Sequence, residues 1–345
     1  MDQIKRKISS GLWICVGMVI VMVGIGGYTR LTGSGLSIVQ WKPITGIFPP
    51  LSAQAWQDLF AQYQLSPEFI KVNSLMSVEE FKFIYMVEFI HRLWGRLMGF
   101  VLLIPTYWVF RHDRDFLPRM ASIWFLASLQ AFMGWFMVKS GLIDNPQVSP
   151  IRLTLHLLLA VGILMMLLHT IYSLKETVKS EGSSFVKFKF IGLVGVLLLT
   201  ITFGGLTAGT HAGYIYNTFP LMNGRLWPED IFITTPWILD FIYNPATIQF
   251  IHRLLAFLSL SLAAYVWYTC KRESVHKSLQ YLSSGIFMAL CMQVLLGIST
   301  LLLQVPVSLG VAHQVWAILS FSLAFWGLLV CLKGRMADTV SDLKT

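Results

Sequence analysis

Charge is scarce in this chain of 345 residues: 12% of them are Asp, Glu, Lys or Arg, against roughly a quarter in an ordinary soluble domain. Too few ionic side chains remain to coat a water-facing surface, which excludes a soluble globular fold. The hydrophobic share of 55% and aromatic share of 14% exclude a disordered or collagen-like chain. Cysteine is scarce too. Cys15 and Cys291 lie within apolar stretches and Cys270 and Cys331 close to the basic ends of two others. That pattern excludes a disulfide scaffold and a C-x-x-C redox pair and leaves the four as small packing residues. What is abundant is apolar sequence, with a mean hydropathy of +0.66, so the solvent of this fold is a bilayer.

Stretches of about 20 apolar residues, the length that crosses a membrane, occur at Gly11 to Tyr28, Tyr85 to Phe110, Pro118 to Val138, Leu153 to Ser173, Phe190 to Ala208, Thr247 to Cys270, Leu279 to Leu303 and Val307 to Leu332. Eight spans put both termini on one side. That side carries Lys5, Arg6, Lys7, Arg111, Arg114, Arg119, Lys175, Lys179, Lys187, Lys189, Lys271, Arg272, Lys277, Lys333, Arg335 and Lys344. The opposite side, with longer loops, carries only Arg30, Lys42, Lys71, Lys82, Lys139, Arg152 and Arg225. The positive-inside rule therefore makes the N- and C-termini cytoplasmic. The net charge of +9 is absorbed by this asymmetry. It is scattered over loops rather than gathered in a stripe, so no nucleic acid is expected as a partner.

The first span runs into Gly26, Gly27 and Arg30 rather than a small-residue cleavage site, and is read as a retained helix. No Arg-rich amphipathic transit segment precedes it, which favours a bacterial cell (inner) membrane over an organelle. Two long outer loops look like lids. In the first, Arg30 to Phe83, the residues Ala53, Trp56, Leu59, Phe60 and Tyr63 recur at helical spacing, and Ser77 with Glu80 forms a capping-box signature that starts a helix near Val78. The second, Gly209 to Ala246, is rich in Trp, Tyr, Phe and Pro.

The chain repeats itself. Phe89-Ile90-His91-Arg92-Leu93 returns as Phe250-Ile251-His252-Arg253-Leu254; Gly26-Gly27 with Thr29 matches Gly204-Gly205 with Thr207; Gln130 with Gly134 matches Gln293 with Gly297; His156 matches His313. Four spans per unit keep both units in the same orientation. The expected fold is an all-α integral membrane protein: eight transmembrane helices as two tandem four-helix bundles related by a pseudo-twofold axis along the membrane normal. The halves are residues 1–180 and 181–345.

His91, His156, His252 and His313 fall at similar depth below the outer surface. A single intramembrane His is ordinarily an interhelical hydrogen bond. Four of them, duplicated pairwise, point to two metal-binding pairs, His91 with His156 and His252 with His313, each able to hold the iron of one haem. Zinc prefers three or four compact ligands. His112, His169, His276 and His211 are read as surface or packing residues. Arg92 and Arg253 follow the ligand candidates. They either pair locally, Arg92 with Glu88 one turn away, or neutralise cofactor carboxylates. Glu88, on the same helix face as His91, is replaced by Gln249 in the second copy. A carboxyl at that depth is a functional candidate and gives the N-terminal half proton chemistry that the other half lacks.

The run Gly26-Gly27-Tyr28-Thr29-Arg30-Leu31-Thr32, then Ser34-Gly35-Leu36-Ser37, Trp41, Pro43, Gly46 and Pro49-Pro50, resembles the first-loop signature of the haem A synthases. So do Glu88-Phe89-Ile90-His91-Arg92 with Gly95-Arg96, Leu153-Thr154-Leu155-His156, Ala208-Gly209 through Asn217-Thr218-Phe219-Pro220-Leu221-Met222, and Val311-Ala312-His313-Gln314. The resemblance spans nearly the whole chain and is to the branch without outer-loop cysteine pairs. It implies an oxidoreductase that converts a ring methyl of haem O to formyl through the alcohol, giving haem A for cytochrome oxidase. It implies His91 and His156 facing substrate haem O, His252 and His313 ligating a resident haem b, and Glu88 as acid/base. The implied partners are haem O, the synthase that makes it and the cytochrome oxidase assembly pathway, with membrane lipid around the fold. Homo-oligomerisation stays open. If both His91 and His156 bind the substrate iron, no coordination position is left for O2; otherwise one of them dissociates. The rival classes are a transmembrane dihaem electron carrier of the cytochrome b type, which would place its haems near opposite faces, and a repeat-built transporter, which leaves the His pairs unexplained.

Overall fold

A computed structural model of the protein describes residues 3–42, 45–143, 146–175, 184–273 and 275–332. Pro43, Lys179, Lys333, Arg335, Lys344 and the boundary between 180 and 181 lie outside them. The described chain is helical, with α1 (Gln3–Leu31), α2 (Ala53–Gln64), α3 (Pro67–Lys71), α4 (Val78–His112), α5 (Leu117–Gly141), α6 (Pro150–Ser173), α7 (Ser184–Gly209), α8 (Asp240–Tyr243), α9 (Pro245–Arg272), α10 (Lys277–Leu302) and α11 (Val307–Leu332). The eight long helices are each apolar and long enough to cross a membrane, and they coincide with the expected spans. The protein is a multi-pass membrane protein. No disulfide links the four cysteines.

Start signals are used as the sequence lays them out. Ser77 caps α4 with a full capping box: its hydroxyl accepts from Glu80 N at 3.3 Å and the Glu80 carboxylate accepts from Ser77 N at 2.8 Å. Asn244 caps α9, and proline occupies the first turn of α5, α6 and α9, where a missing N–H costs nothing. The capping box starts α4 about 10 Å earlier than its apolar stretch does, at 1.5 Å per residue, so its first two turns stand clear of the bundle. On that projection sits the amphipathic helix expected at Ala53 to Tyr63, observed as α2, with Phe60 and Tyr63 buried against Phe81 and Tyr85. Tyr63 stacks on Phe81 at 5.1 Å.

The long helices pack as two groups of four. In the C-terminal group, α7, α9, α10 and α11 close into a ring, each touching the next. In the N-terminal group α1 packs on α4 and α6, and α5 on α6, but α4 and α5 meet at few points. A hydrogen bond between those two, Trp124 Nε1 to Thr106 Oγ1 at 3.0 Å, lies toward the end that carries the termini. Between the groups, α1 packs on α11 and α6 on α7. In repeat terms these are the same contact with its members exchanged, a pattern compatible with a twofold axis along the normal. The main apolar core runs through the half of the bundle nearer the termini, from Ile8 and Leu12 through Leu164, Leu167 and Phe190 to Phe321. That half is mainly hydrocarbon with scattered hydroxyls such as Thr170, Thr269 and Ser283, and the buried carboxylates and amide, Glu68, Glu88, Asp240 and Gln249, gather in the half under the long loops.

Candidate functional site

Each of the four repeated histidines lies against a glycine on the neighbouring helix. A methyl group added at Gly134 would come 3.1 Å from His156 Cε1, at Gly297 2.8 Å from His313 Cε1, at Gly204 3.2 Å from His252 Cε1, and at Gly26 3.7 Å from His91 Nε2. The repeated glycines are therefore the walls of four imidazole slots. A side chain at Gly134, Gly204 or Gly297 would crowd the ring beside it, whereas at Gly26 a methyl would make ordinary contact. His91 and His156 are close enough to interact electrostatically, as are His252 and His313.

Ring orientation comes from hydrogen bonds. His252 Nδ1 is 3.1 Å from the Thr200 carbonyl on α7. That nitrogen therefore carries the proton, and the Nε2 lone pair is left for a metal. Gln293 Nε2 is 3.2 Å from His313 Nδ1, and Gln130 Nε2 is 3.3 Å from His156 Nε2. Both glutamines stand one turn before the glycine that walls the same ring, so a Gln-x-x-x-Gly pattern on α5 and α10 supplies contact and hydrogen bond together. Buried polar atoms are left over. His156 Nδ1, Gln130 Oε1, Gln293 Oε1 and Arg253 Nε have no partner among the described residues. Buried donors and acceptors are rarely left unpaired without cause. Imidazole nitrogens with amide groups beside them suit an axially ligated haem, and a guanidinium N–H suits a carboxylate. The donor set fits that group.

Above the rings, one device recurs with opposite polarity. Glu88 Oε2 accepts from Ser37 Oγ at 2.7 Å and Ile38 N at 2.8 Å, while Oε1 accepts from Arg92 Nε at 3.0 Å and Nη2 at 2.6 Å. Arg92 also donates to the carbonyls of Ile38 and Gln40. In the second half, Gln249 Nε2 donates to the carbonyls of Ala212 and Ile215 at 2.7 and 2.5 Å, and Arg253 donates to those of Tyr216 and Thr218 and to Gln249 Oε1. The helix thus pins its covering loop in both halves. The first loop offers donors, which a carboxylate accepts. The second offers carbonyls, to which an amide must donate. The Glu-to-Gln difference therefore has a structural basis beside the chemical one. Arg92 pairs with Glu88, the local option, and Arg253 keeps its Nε free.

The first loop holds a second buried carboxylate that sequence reading passed over. Glu68 accepts from the Tyr63 hydroxyl at 3.1 Å, and Asn73 Nδ2 donates to that hydroxyl at 2.7 Å. Burial pushes the Glu68 carboxyl up to about 7, against the lowering effect of the Tyr63 bond and with the negative charge of Glu88 adding to the rise. Nothing in the run Ser66-Pro67-Glu68 distinguishes it from a surface helix start. Thr200 and Ile38 were equally invisible, since they act through backbone groups, and Ser37 was legible only as part of the first-loop signature, not as a partner of Glu88. Gln130 and Gln293 did carry a signal: their repetition with a glycine four residues on. Of the remaining histidines, His112 stacks on Trp108 at 5.5 Å and His276 caps α10. His211, at the surface of the second loop, accepts from Arg30 Nη2 at 2.8 Å, and partial desolvation with that cation beside it lowers its basicity.

Fold and site together define a class: a multi-pass helical membrane protein with an internal sequence repeat, which sets four half-buried imidazoles beneath two pinned loops. Within that class, the chain belongs to the COX15-CtaA family of cytochrome oxidase assembly proteins, which matches residues 10–325. Its relatives include proteins named Heme A synthase from Nitrosospira multiformis, 40% identical over 94% of this chain and 93% of the relative. Others of that name come from Wolbachia pipientis wMel, 41% identical over 94% and 92%, and Paramagnetospirillum magneticum, 42% identical over 94% and 93%.

Proposed function

We propose that this chain oxidises haem O to haem A, its N-terminal half (1–180) holding the substrate and its C-terminal half (181–345) a resident haem b. The observation that carries the reading is the fourfold imidazole-against-glycine arrangement, repeated in two pairs under two pinned loops. Family membership supports it. His252 and His313 hold haem b, and His91 and His156 face the iron of haem O. The unpartnered Nε of Arg253 would suit a propionate of haem b, and Arg92, paired with Glu88, holds the first loop.

Haem b supplies one-electron redox chemistry when bound. The protein's own residues do the rest. The loops from 32 to 42 and from 210 to 218, tied down by Glu88, Arg92, Gln249 and Arg253, keep bulk water from the rings. Glu88 is the acid/base nearest the substrate side and receives protons released as the methyl is oxidised. It has Ser37 Oγ as its neighbour for passing a proton onward. The loops face outward from a bacterial inner membrane and the termini face the cytoplasm. Haem O arrives from the enzyme that makes it, and the product goes to cytochrome oxidase assembly.

The test is haem extraction from cells that make haem O, expressing wild-type or Glu88→Gln protein. The wild type yields haem A and its alcohol precursor together with haem b. The variant yields haem b and haem O. A protein that carries haem b alone in both backgrounds would instead be an electron carrier, and a colourless one would be neither.

A further inference from the structure

Helices α4 and α9 are repeat equivalents, with His91 matching His252, but below the rings they are built differently. α4 carries Gly95, Gly99 and Pro105 where α9 carries Ala256, Leu260 and Val266. Proline in a helix interior removes a backbone hydrogen bond and bends the helix, and glycine loosens it relative to alanine or leucine. A methyl added at Gly99 would meet nothing within 4 Å, whereas Leu260 packs against the apolar core. The neighbouring helices differ in step. α9 and α10 pack along each other, while α4 meets α5 at few points. Beyond Ile123, α5 has no fully buried residue before Gly141, but over the matching stretch α10 buries Ala289, Leu290 and Thr300. The first pair is latched at one end, where Trp124 Nε1 donates to Thr106 Oγ1, next to Pro105, at 3.0 Å. At the matching place Trp267 stacks on Phe287 at 5.3 Å and donates to Ser284 Oγ at 3.1 Å. Trp267 matches Thr106 and Phe287 matches Trp124, so two rings fill a contact that the first half closes with one.

α4 and α5 are thus joined at the latch and loosely packed above it. The loose seam runs about 15 Å from Trp124 to Gly134, at 1.5 Å per residue, and ends at the level of the rings. There Gly134 lies against His156, and His156 Nδ1 and Gln130 Oε1 have no partner among the described residues. Both helices cross the membrane, so the seam leads from lipid on one side to the imidazole pair on the other. We propose that the seam between α4 and α5 is the lateral door through which haem O enters the N-terminal half from the bilayer. Haem O carries a long isoprenoid tail and partitions into lipid rather than water. Passing edge-on between α4 and α5, its porphyrin reaches His91 and His156 while the tail stays among the acyl chains, and neither pinned loop has to lift. Pro105 and the two glycines let the outer limb of α4 part from α5, and the Trp124–Thr106 bond holds the hinge end closed. The matching seam of the C-terminal half is filled by Leu260, Trp267 and Phe287, which keeps a resident haem in place. This rests on the assignment of the N-terminal half to the substrate and deepens it by naming the route.

The experiment uses full-length protein carrying its haem b, reconstituted in vesicles of phosphatidylethanolamine and phosphatidylglycerol and mixed with haem O in the absence of oxygen. Uptake is followed by the Soret change, and its rate is measured apart from its equilibrium extent. Pro105→Val combined with Gly99→Leu gives α4 the residues of α9. In that variant uptake and release of haem O slow together by about tenfold or more, while affinity stays within about threefold and the resident haem is retained. Damage to the site itself would change the affinity instead. Gly99→Ala, whose methyl enters open space, slows both rates in the same sense and serves should the double variant fail to fold. The reverse exchange, Leu260→Gly with Val266→Pro, makes the resident haem exchangeable. Unchanged rates in both α4 variants, or a loss of affinity at an unchanged uptake rate, overturn the inference. A wild-type chain that takes up no haem O overturns the two-site assignment beneath it, a separate and recognisable failure.

Discussion

Glu88 and Arg92, one helical turn apart on α4, form a buried ion pair with 2.6 Å between Oε1 and Nη2, and both also hold the loop from 37 to 40. Breaking one partner of a buried, hydrogen-bonded pair typically costs about 3–5 kcal/mol.

Glu88→Gln is therefore expected to do two things at once. Turnover falls by at least about tenfold through loss of the proton acceptor, and the first loop loosens because an amide cannot accept from Ser37, Ile38 and Arg92 together. Limited proteolysis separates the effects: cleavage within residues 32–42 rises in the variant while haem b content stays at the wild-type level. The converse change, Gln249→Glu, sets a carboxylate against the carbonyls of Ala212 and Ile215 and releases the second loop instead. Unchanged proteolysis in both variants would contradict the clamp.

The glycine slots are tested by Gly297→Ala and Gly134→Ala. Overpacking costs typically about 1–3 kcal/mol, and at Gly297 the added methyl would lie 2.8 Å from the His313 ring. Resident haem retention falls about five- to 160-fold in Gly297→Ala by that energy range. In Gly134→Ala the resident haem is kept and turnover drops. Haem-to-protein ratios and product analysis distinguish the two.

Loop stability is expected to depend on pH through Glu68. Its carboxyl titrates higher in the folded loop, at about 7, than the ordinary 4.5. Its contribution is therefore fully present below 4.5, decreases as pH rises, and is lost above about 7. Fluorescence of Trp56, which packs on Tyr85 beside this network, followed against denaturant from pH 5 to 8, should show the loop weakening with pH. In Glu68→Gln that slope flattens.

At the contact between the two halves, Leu31 fills the space over Gly310, where an added methyl would lie 2.7 Å from Leu31 Cδ1. Gly310→Leu is expected to lower the thermal midpoint in detergent by several degrees, and Leu31→Gly combined with Gly310→Leu to recover most of it. Additive loss in the double variant would show that the two positions do not share one space.

Spans, capping box, amphipathic α2 and histidine repeat were legible because each depends on a local period or on exact duplication: apolar length, a Ser-x-x-Glu signature, spacing near 3.6, and His91 matched by His252. The partners that act through the backbone or from a loop were not. The Thr200 carbonyl belongs to the backbone and has no signature, and Ser37 and Ile38 reach Glu88 from half a hundred residues away through a loop whose path no periodicity encodes. Glu68 looked like a helix-start acid because burial is set by what folds over it, here Tyr63 and Asn73.

The exchanged contacts between α1 and α11 and between α6 and α7 set glycine under a bulkier neighbour from both sides: Gly310 under Leu31 and Gly209 under Pro150 of the N-terminal half, and Gly27 under Gln314 of the C-terminal half. Each half therefore carries both knobs and hollows cut for the other, so enlarging a glycine on either face would wedge the halves apart.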